Sequence, residues 1–389
     1  MTIPYGRQDI SEADCEAVLQ VLRSEYLTQG PVVPEFEQAI AAYCGVDHAI
    51  ATNSATSALH IACACLRLGP GDWLWTSPNT FVASANCALF CGAKVDFVDI
   101  DSQTYNLCAD ALEKKLIHSE KKGTLPKIVM PVHFAGQSPD MARIRELGIQ
   151  YGFKIIEDAS HAIGASHKGQ KVGSCEYSDV TVFSFHPVKI ITSGEGGIAV
   201  TQNPELARRM KLLRSHGVSN DSQDFDVRPS DELWNYQQIL LGFNYRMTEI
   251  QAALGLSQLN RLDEFVEKRH RIAHRYDRDL NPLPIVIPCQ DTNNYSSYHL
   301  YPIRIKPNAK KIGQRDIYDA LHNRDIRANL HYIPVYRQPF YERLGFKEGY
   351  CINAEEYFRS SISIPMFSAL SNREQTQIIE TLTNVFDGN

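Results

Sequence analysis

From residue 48 to residue 200 the chain alternates between short apolar runs and longer stretches with helical spacing. The apolar runs cover 49–52, 73–76, 95–100, 127–134, 153–157, 180–185 and 198–200. Runs of that length, rich in Val, Ile and Phe and bounded by turn residues, read as buried strands. Between them, 57–66, 81–90 and 140–151 repeat apolar residues at helical intervals. This alternation predicts an α/β fold: a mostly parallel, doubly wound sheet with helices on both faces. Upstream, an irregular arm precedes amphipathic helices predicted over 11–24 and 34–43, parted by a turn-rich break at 26–31. Downstream, 203–218 predicts a basic, solvated helix and 219–238 a polar, Asp-rich mobile loop over the site. One long helix is expected over 248–280, leading into strands at 282–287, 298–305 and 327–332 and helices at 313–323 and 372–385. A large domain over 1–255 and a smaller α+β domain over 256–389 follow from that pattern.

In such a sheet, ligands bind where the strands end at their carboxyl side. Chemistry gathers at those exits. Asn53-Ser54-Ala55-Thr56 joins a strand to a helix, which makes either an ordinary Ser N-cap or an anion site of free N–H groups and helix dipole. Phe81 opens a helix after the next strand, as core filler or as a surface on which a planar ring stacks. Asp158 ends the run 153–157, either as a helix cap or as a ligand-facing carboxylate. Lys189 sits among Pro187, Val188, Ile190 and Ile191, ahead of the glycine-rich turn 193–197. A lysine there either snorkels to water or is desolvated, with a lowered pKa that suits Schiff-base chemistry. An acidic partner for a pyridine nitrogen together with a Schiff-base lysine is what pyridoxal phosphate requires. The combination of Lys189, Asp158 and the 53–56 turn favours the ligand readings.

Composition excludes other classes. The net charge of −6 lacks the basic excess of a nucleic-acid binder. No run approaches the roughly 18 apolar residues of a membrane helix, and the N-terminus has no signal-like segment. A cytoplasmic protein is expected. Ten cysteines and thirteen histidines show no metal-ligand spacing, so no metal is expected and the thiols read as small, reduced hydrophobes.

The motifs NSATSAL (53–59), EDASHAIG (157–164), SFHPVKIITSGEGG (184–197), GFNYRM (242–247) and HYIPVY (331–336) resemble those of the DegT/DnrJ/EryC1/StrS sugar aminotransferases. The resemblance runs from Leu27-Thr28-Gln29-Gly30 to Ser363-Ile364-Pro365 and implies the aspartate-aminotransferase (type I) fold with pyridoxal 5′-phosphate. By position, it makes Lys189 the Schiff-base and catalytic lysine and Asp158 the pyridinium partner. His161 would lie near the phenolic oxygen, Ser54, Ala55, Thr56 and Ser184 would hold phosphate, and Phe81 would stack on the ring. Asn244 would reach the phosphate of a neighbouring subunit, which implies a homodimer with shared active sites. Tyr5, Tyr26, Leu27, Thr28, Gln29, Asn329, Leu330, His331 and Tyr332 would contact substrate. The N-terminal wording (IPYGRQDI, SEYLTQGP, GAKVDFVDID) is most similar to the branch serving pseudaminic acid biosynthesis. That branch moves an amino group from L-glutamate to C4 of a UDP-linked 4-keto-6-deoxy-N-acetylhexosamine. A TDP- or GDP-linked keto-sugar aminated at C3 or C4 is the alternative, and a non-catalytic regulator on the same fold a more distant one. Lys189 sets the chain apart from the dehydratase branch, which carries histidine there.

Overall fold

A computed structural model describes residues 2–225, 234–307, 309 and 312–387; part of the expected loop 219–238 lies outside the described residues. The central sheet contains β1 (His48–Thr52), β2 (Trp73–Thr76), β3 (Lys94–Phe97), β4 (Ile128–Met130) and β5 (Lys154–Asp158). After a short hairpin, β6 (Ser166–His167) and β7 (Gln170–Lys171), the chain returns to that sheet with β8 (Val180–Ser184) and β9 (Gly197–Thr201). The strand order is β1-β9-β8-β5-β4-β2-β3. All neighbours run parallel except β9, which lies antiparallel between β1 and β8. Strands β8 and β9 are buried at every position, as their unbroken apolar runs require.

Helices α1 (Glu12–Leu22), α2 (Val32–Cys44), α3 (Ala55–Cys65), α4 (Ala83–Phe90), α5 (Ala109–Glu120), α6 (Met141–Tyr151) and α7 (Pro204–Arg214) surround the sheet. Ser11 and Asp14 close a capping box on α1, and Asp140 caps α6. A separate two-stranded antiparallel pair is β10 (Val218–Ser219) with β11 (Gln237–Gln238). The expected helix over 248–280 is instead two helices, α8 (Glu249–Leu259) and α9 (Leu262–Leu280). The break has a cause. Arg261 leaves helical geometry and turns its guanidinium onto the Asp9 carbonyl at 2.5 Å and the Asp9 and Asp14 carboxylates at 3.5 Å.

A second sheet is antiparallel, β12 (Ile285–Val286), β14 (Tyr301–Ile305) and β15 (Ser361–Ile364), while β13 (Asn294–Tyr295) pairs with β6. It packs against α10 (Gln314–Asn323) and α13 (Asn372–Asp387). Helix α9 belongs to two cores. Leu262, Phe265 and Val266 join the cluster of α2 and β9, while Ile272, Ala273, Tyr276 and Leu280 join that of the second sheet. The expected boundary at 255/256 falls inside α8. Val335, Tyr336 and Tyr341, the last in α11 (Pro339–Glu342), pack back on the first sheet's cluster with Ala354 and Tyr357 of α12 (Ile352–Ser360).

Several expected strands are shorter or absent, two of them for a local reason. The run 127–134 ends at Met130 because Pro131 offers no N–H to the ladder. The segment 327–332 is a loop with one bridge, Asn329 to Ser363. Beyond it, side chains take the backbone partners: Asn79 Oδ1 accepts from Tyr332 N–H at 3.1 Å. Among the described residues no helix is long and apolar enough to cross a membrane.

Helix α2 has no cap of its own, since Pro31 carries no side-chain acceptor. The fully buried Glu249 carboxylate supplies one from α8, accepting N–H bonds from Gly30 at 3.0 Å and Val32 at 2.6 Å. Charge-assisted bonds to buried donors are among the strongest a carboxylate makes. Glu249→Ala should therefore cost about 2–4 kcal/mol, the scale of leaving buried donors unpaired. Urea unfolding measures it, and a loss under about 1 kcal/mol would show that other acceptors cover those amides.

Candidate active site

One cavity of about 670 Å³ opens at the carboxyl ends of the parallel strands. Ser54, Ala55 and Thr56 form one wall, where β1 turns into α3. Ser54 Oγ accepts the Ser57 N–H at 3.2 Å, so Ser54 is indeed an N-cap. That does not exhaust the turn. The first amides of a helix have no intrahelical acceptor, and those of Ala55 and Thr56 are left for a ligand. Ser184, at the end of β8, lines the same wall. Gly197 makes the cradle possible: a Cβ there would stand 2.4 Å from Ala55 N and 2.5 Å from the Ser54 carbonyl carbon.

Asp158 ends β5 and is only 4% exposed, yet it lines the cavity. Turns rather than a helix follow it, so it caps nothing. Ser84 Oγ donates to Oδ2 at 2.6 Å, and Ser160 donates to Oδ1 from its hydroxyl at 2.6 Å and its amide at 3.2 Å. The carboxylate is thus fixed from both sides. Lys189 stands in the loop joining β8 to β9 and lines the cavity with Asp158. Burial pulls its amine down to about 8, with the Asp158 carboxylate opposing.

His161 lies deeper, 6% exposed, and burial together with the Lys189 charge holds it well below the usual histidine range. His331 is likewise pushed down to about 3, chiefly by burial, and its Nδ1 meets Ser363 Oγ at 2.9 Å. Tyr5, Asn329, Leu330 and Tyr332 line the cavity beside it, Tyr5 packing its ring 5.6 Å from that of His331. Phe81 also lines the cavity and is 61% exposed.

Five expected residues lie elsewhere in this chain. Tyr26, Leu27, Thr28 and Gln29 are exposed and border no part of the cavity. Their loop is held by Glu249, whose N–H donates to the Leu27 carbonyl at 3.0 Å. Asn244 is exposed, its backbone bridged to Ser215. Conversely, sequence reasoning missed Ser84, Ser160 and His299. Ser160 sat inside a quoted motif, whereas Ser84 lies a helical turn beyond Phe81 and His299 at a strand approach, without any local signal.

A doubly wound sheet bearing an amide cradle, a fixed carboxylate and a lysine of lowered pKa around one cavity is the architecture of a fold type I pyridoxal-phosphate enzyme. The comparisons with known proteins carry this further. Residues 8–383 match the DegT/DnrJ/EryC1/StrS aminotransferase family, and the chain belongs to that family. It is 38% identical over 387 residues to the UDP-4-amino-4,6-dideoxy-N-acetyl-beta-L-altrosamine transaminase of Campylobacter jejuni (serotype O:23/36, strain 81-176), covering 99% of this chain and 98% of that one. Helicobacter pylori PseC, an aminotransferase involved in the biosynthesis of pseudoaminic acid, superposes with a TM-score of 0.90 at 32% identity over the whole of both chains. Spr1654 of Streptococcus pneumoniae in its PLP form superposes with a TM-score of 0.88 at 29% identity, covering 100% of this chain and 99% of that one. The chain is a PLP-dependent aminotransferase.

A lysine reacts with a carbonyl only as the free amine. Burial lowers the Lys189 amine to about 8, so with Lys189 as the capturing group covalent capture of PLP by the apoprotein should quicken from pH 6.5 to 8.5 and level off beyond. Stopped-flow absorbance reads the capture rate. A rise continuing toward about 10.4, the ordinary lysine value, would show that burial does not tune this amine.

Proposed function

We propose that this enzyme moves the amino group of L-glutamate to C4 of a UDP-linked 4-keto-6-deoxy-N-acetylhexosamine, as in pseudaminic acid assembly. The observation that carries the chemistry is the convergence of Lys189, Asp158 and the α3 amides on one cavity. The named activity of the Campylobacter relative supports the substrate. Bound PLP supplies an electron sink for the bond broken at the amino-bearing carbon. In this reading the Ala55 and Thr56 amides, Ser54 and Ser184 hold its phosphate, and Phe81 covers its ring. Asp158, fixed by Ser84 and Ser160, keeps a proton on the pyridine nitrogen. Lys189 takes the proton from the donor's amino-bearing carbon and returns one to the sugar carbon in the second half-reaction. Tyr5, Asn329, Leu330, His331 and Tyr332 face the substrate.

The active form in this reading is a cytoplasmic homodimer. Asn244, exposed and outside its own cavity, reaches the phosphate held by the partner subunit. Ten unpaired cysteines suit a reducing compartment.

Glutamate-dependent turnover against UDP-, TDP- and GDP-linked 3-keto and 4-keto sugars, with product identification, tests the substrate. The UDP-linked 4-keto-6-deoxy-N-acetylhexosamine should win by at least about tenfold in kcat/KM, a margin that differences of one or two hydrogen bonds supply. Preference for a TDP- or GDP-linked sugar would overturn the substrate while leaving the chemistry in place.

Shared sites predict complementation. Lys189→Ala and Asn244→Asp should each be inactive as homodimers. A mixed dimer puts both lesions in one site and leaves the other intact, so activity should return when subunits exchange. No recovery, with exchange verified by native mass spectrometry, would mean that each subunit builds its own site.

A further inference from the structure

The hydrogen bonds around His161 carry a direction that the residue's position alone does not. Its Nδ1 faces the backbone N–H of Ala135 at 3.3 Å, and its Nε2 faces Tyr332 Oη at 3.2 Å. A backbone amide can only donate, so Nδ1 must accept. The single proton of the neutral ring then resides on Nε2. Burial and the neighbouring Lys189 charge keep the ring neutral.

We propose that His161, locked as its Nε2–H tautomer by Ala135, donates to Tyr332 Oη and so turns the Tyr332 hydroxyl into a fixed donor toward an acceptor oxygen bound in the cavity. Tyr332 lines that cavity, and its ring lies nearly parallel to the imidazole at 6.3 Å and 21°. With Oη accepting from His161, its own hydrogen cannot point back at the ring and must find another acceptor. Burial and the Asp158 carboxylate raise the phenol, which keeps that hydrogen in place. His161 is therefore a positioning residue, and Tyr332 is the group that touches the ligand. The identity of the acceptor rests on the aminotransferase reading; the tautomer does not. The acceptor oxygen comes from the cofactor, as its phenolic oxygen, or from the amino donor.

Two measurements on the PLP-loaded full chain separate these points. Histidine-selective 15N NMR, with the His161 signal found by its loss in His161→Gln, should show protonation at Nε2. Protonation at Nδ1 would overturn the relay whatever the enzyme does. The second measurement follows Tyr332→Phe, His161→Leu and His161→Gln through the pH titration of the PLP absorption band, the PLP dissociation constant, and spectral titration with L-glutamate. Gln accepts from the amide and donates to the phenol, so it preserves the relay; Leu does neither. Tyr332→Phe and His161→Leu should each weaken one ligand about tenfold, the worth of one hydrogen bond to a polar or charged group, and combining them should add nothing. His161→Gln should stay within about threefold of wild type on the same readings. A shifted band titration with weaker PLP binding assigns the acceptor to the cofactor. An unchanged band with weaker glutamate binding assigns it to the amino donor. If Tyr332→Phe moves neither ligand, or Gln proves as damaging as Leu, the relay is wrong. A wild-type protein without any PLP band would instead overturn the aminotransferase reading and leave the NMR result standing.

Discussion

The closest approach on which this site depends is that of Gly197 to the start of α3. Strand β9 runs antiparallel between β1 and β8, and its first residue pairs with both Thr52 and Ser184. Any side chain at 197 would collide with Ser54 and Ala55. With glycine there, the helix amides can sit directly over the ends of β1 and β8. The same antiparallel return obliges the chain between Ser184 and Gly197 to loop over the carboxyl edge of the sheet. That loop carries Lys189. Cradle and lysine are thus two consequences of one strand inserted against the direction of the rest.

Inside the cavity the polar groups hold one another in defined states. A carboxylate at 4% exposure is costly unless its oxygens are satisfied. Ser84 and Ser160 satisfy those of Asp158 without neutralising it, which leaves its charge available to a ligand. The imidazoles of His161, His299 and His331 are all pulled down, mainly by burial. Three cations beside Lys189 would have opposed its protonation further and repelled one another. As neutral rings, His161 and His331 instead hold directed hydrogen bonds, to the Ala135 amide and to Ser363 Oγ.

The sequence was most legible where one residue type has few uses. The apolar runs placed the strands because a parallel sheet buries both faces, and Lys189 and Asp158 stood out because each ends or follows such a run. Boundaries were less legible where a tertiary contact decides them. The break at Asn260 depends on Arg261 finding Asp9 and Asp14, some 250 residues away in sequence, and periodicity continues straight through it. The segment 327–332 has the apolar spacing of a strand, yet it bridges Ser363 at Asn329 alone, and its Tyr332 amide goes to the Asn79 side chain. Ser84 was invisible for the same reason: only the fold brings it to Asp158. Tyr26 to Gln29 and Asn244 lie outside the cavity of their own chain, which local pattern and spacing gave no means to see.

The second core contributes to the site through an unusual cation. Arg269, in the middle of α9, is 1% exposed, and burial pulls it down to about 9, which leaves it charged at neutral pH. Its Nη1 donates to three carbonyls, Tyr298 at 3.1 Å, His299 at 3.2 Å and Met366 at 3.0 Å. Met366 N–H in turn donates to the Tyr5 carbonyl at 3.0 Å. Both His299 and Tyr5 line the cavity. A buried guanidinium with only carbonyl partners gains less than one facing a carboxylate, and its desolvation is as costly. It persists here because its planar group can join two other chain segments, 298–299 and 366, to α9 at once, where a carboxylate would have drawn it to one. Helix α9 already spans both cores, so this arginine ties the far wall of the cavity to the element that links them. Removing it would leave three buried carbonyls unpaired and free the two walls to drift apart, even though it touches no ligand itself.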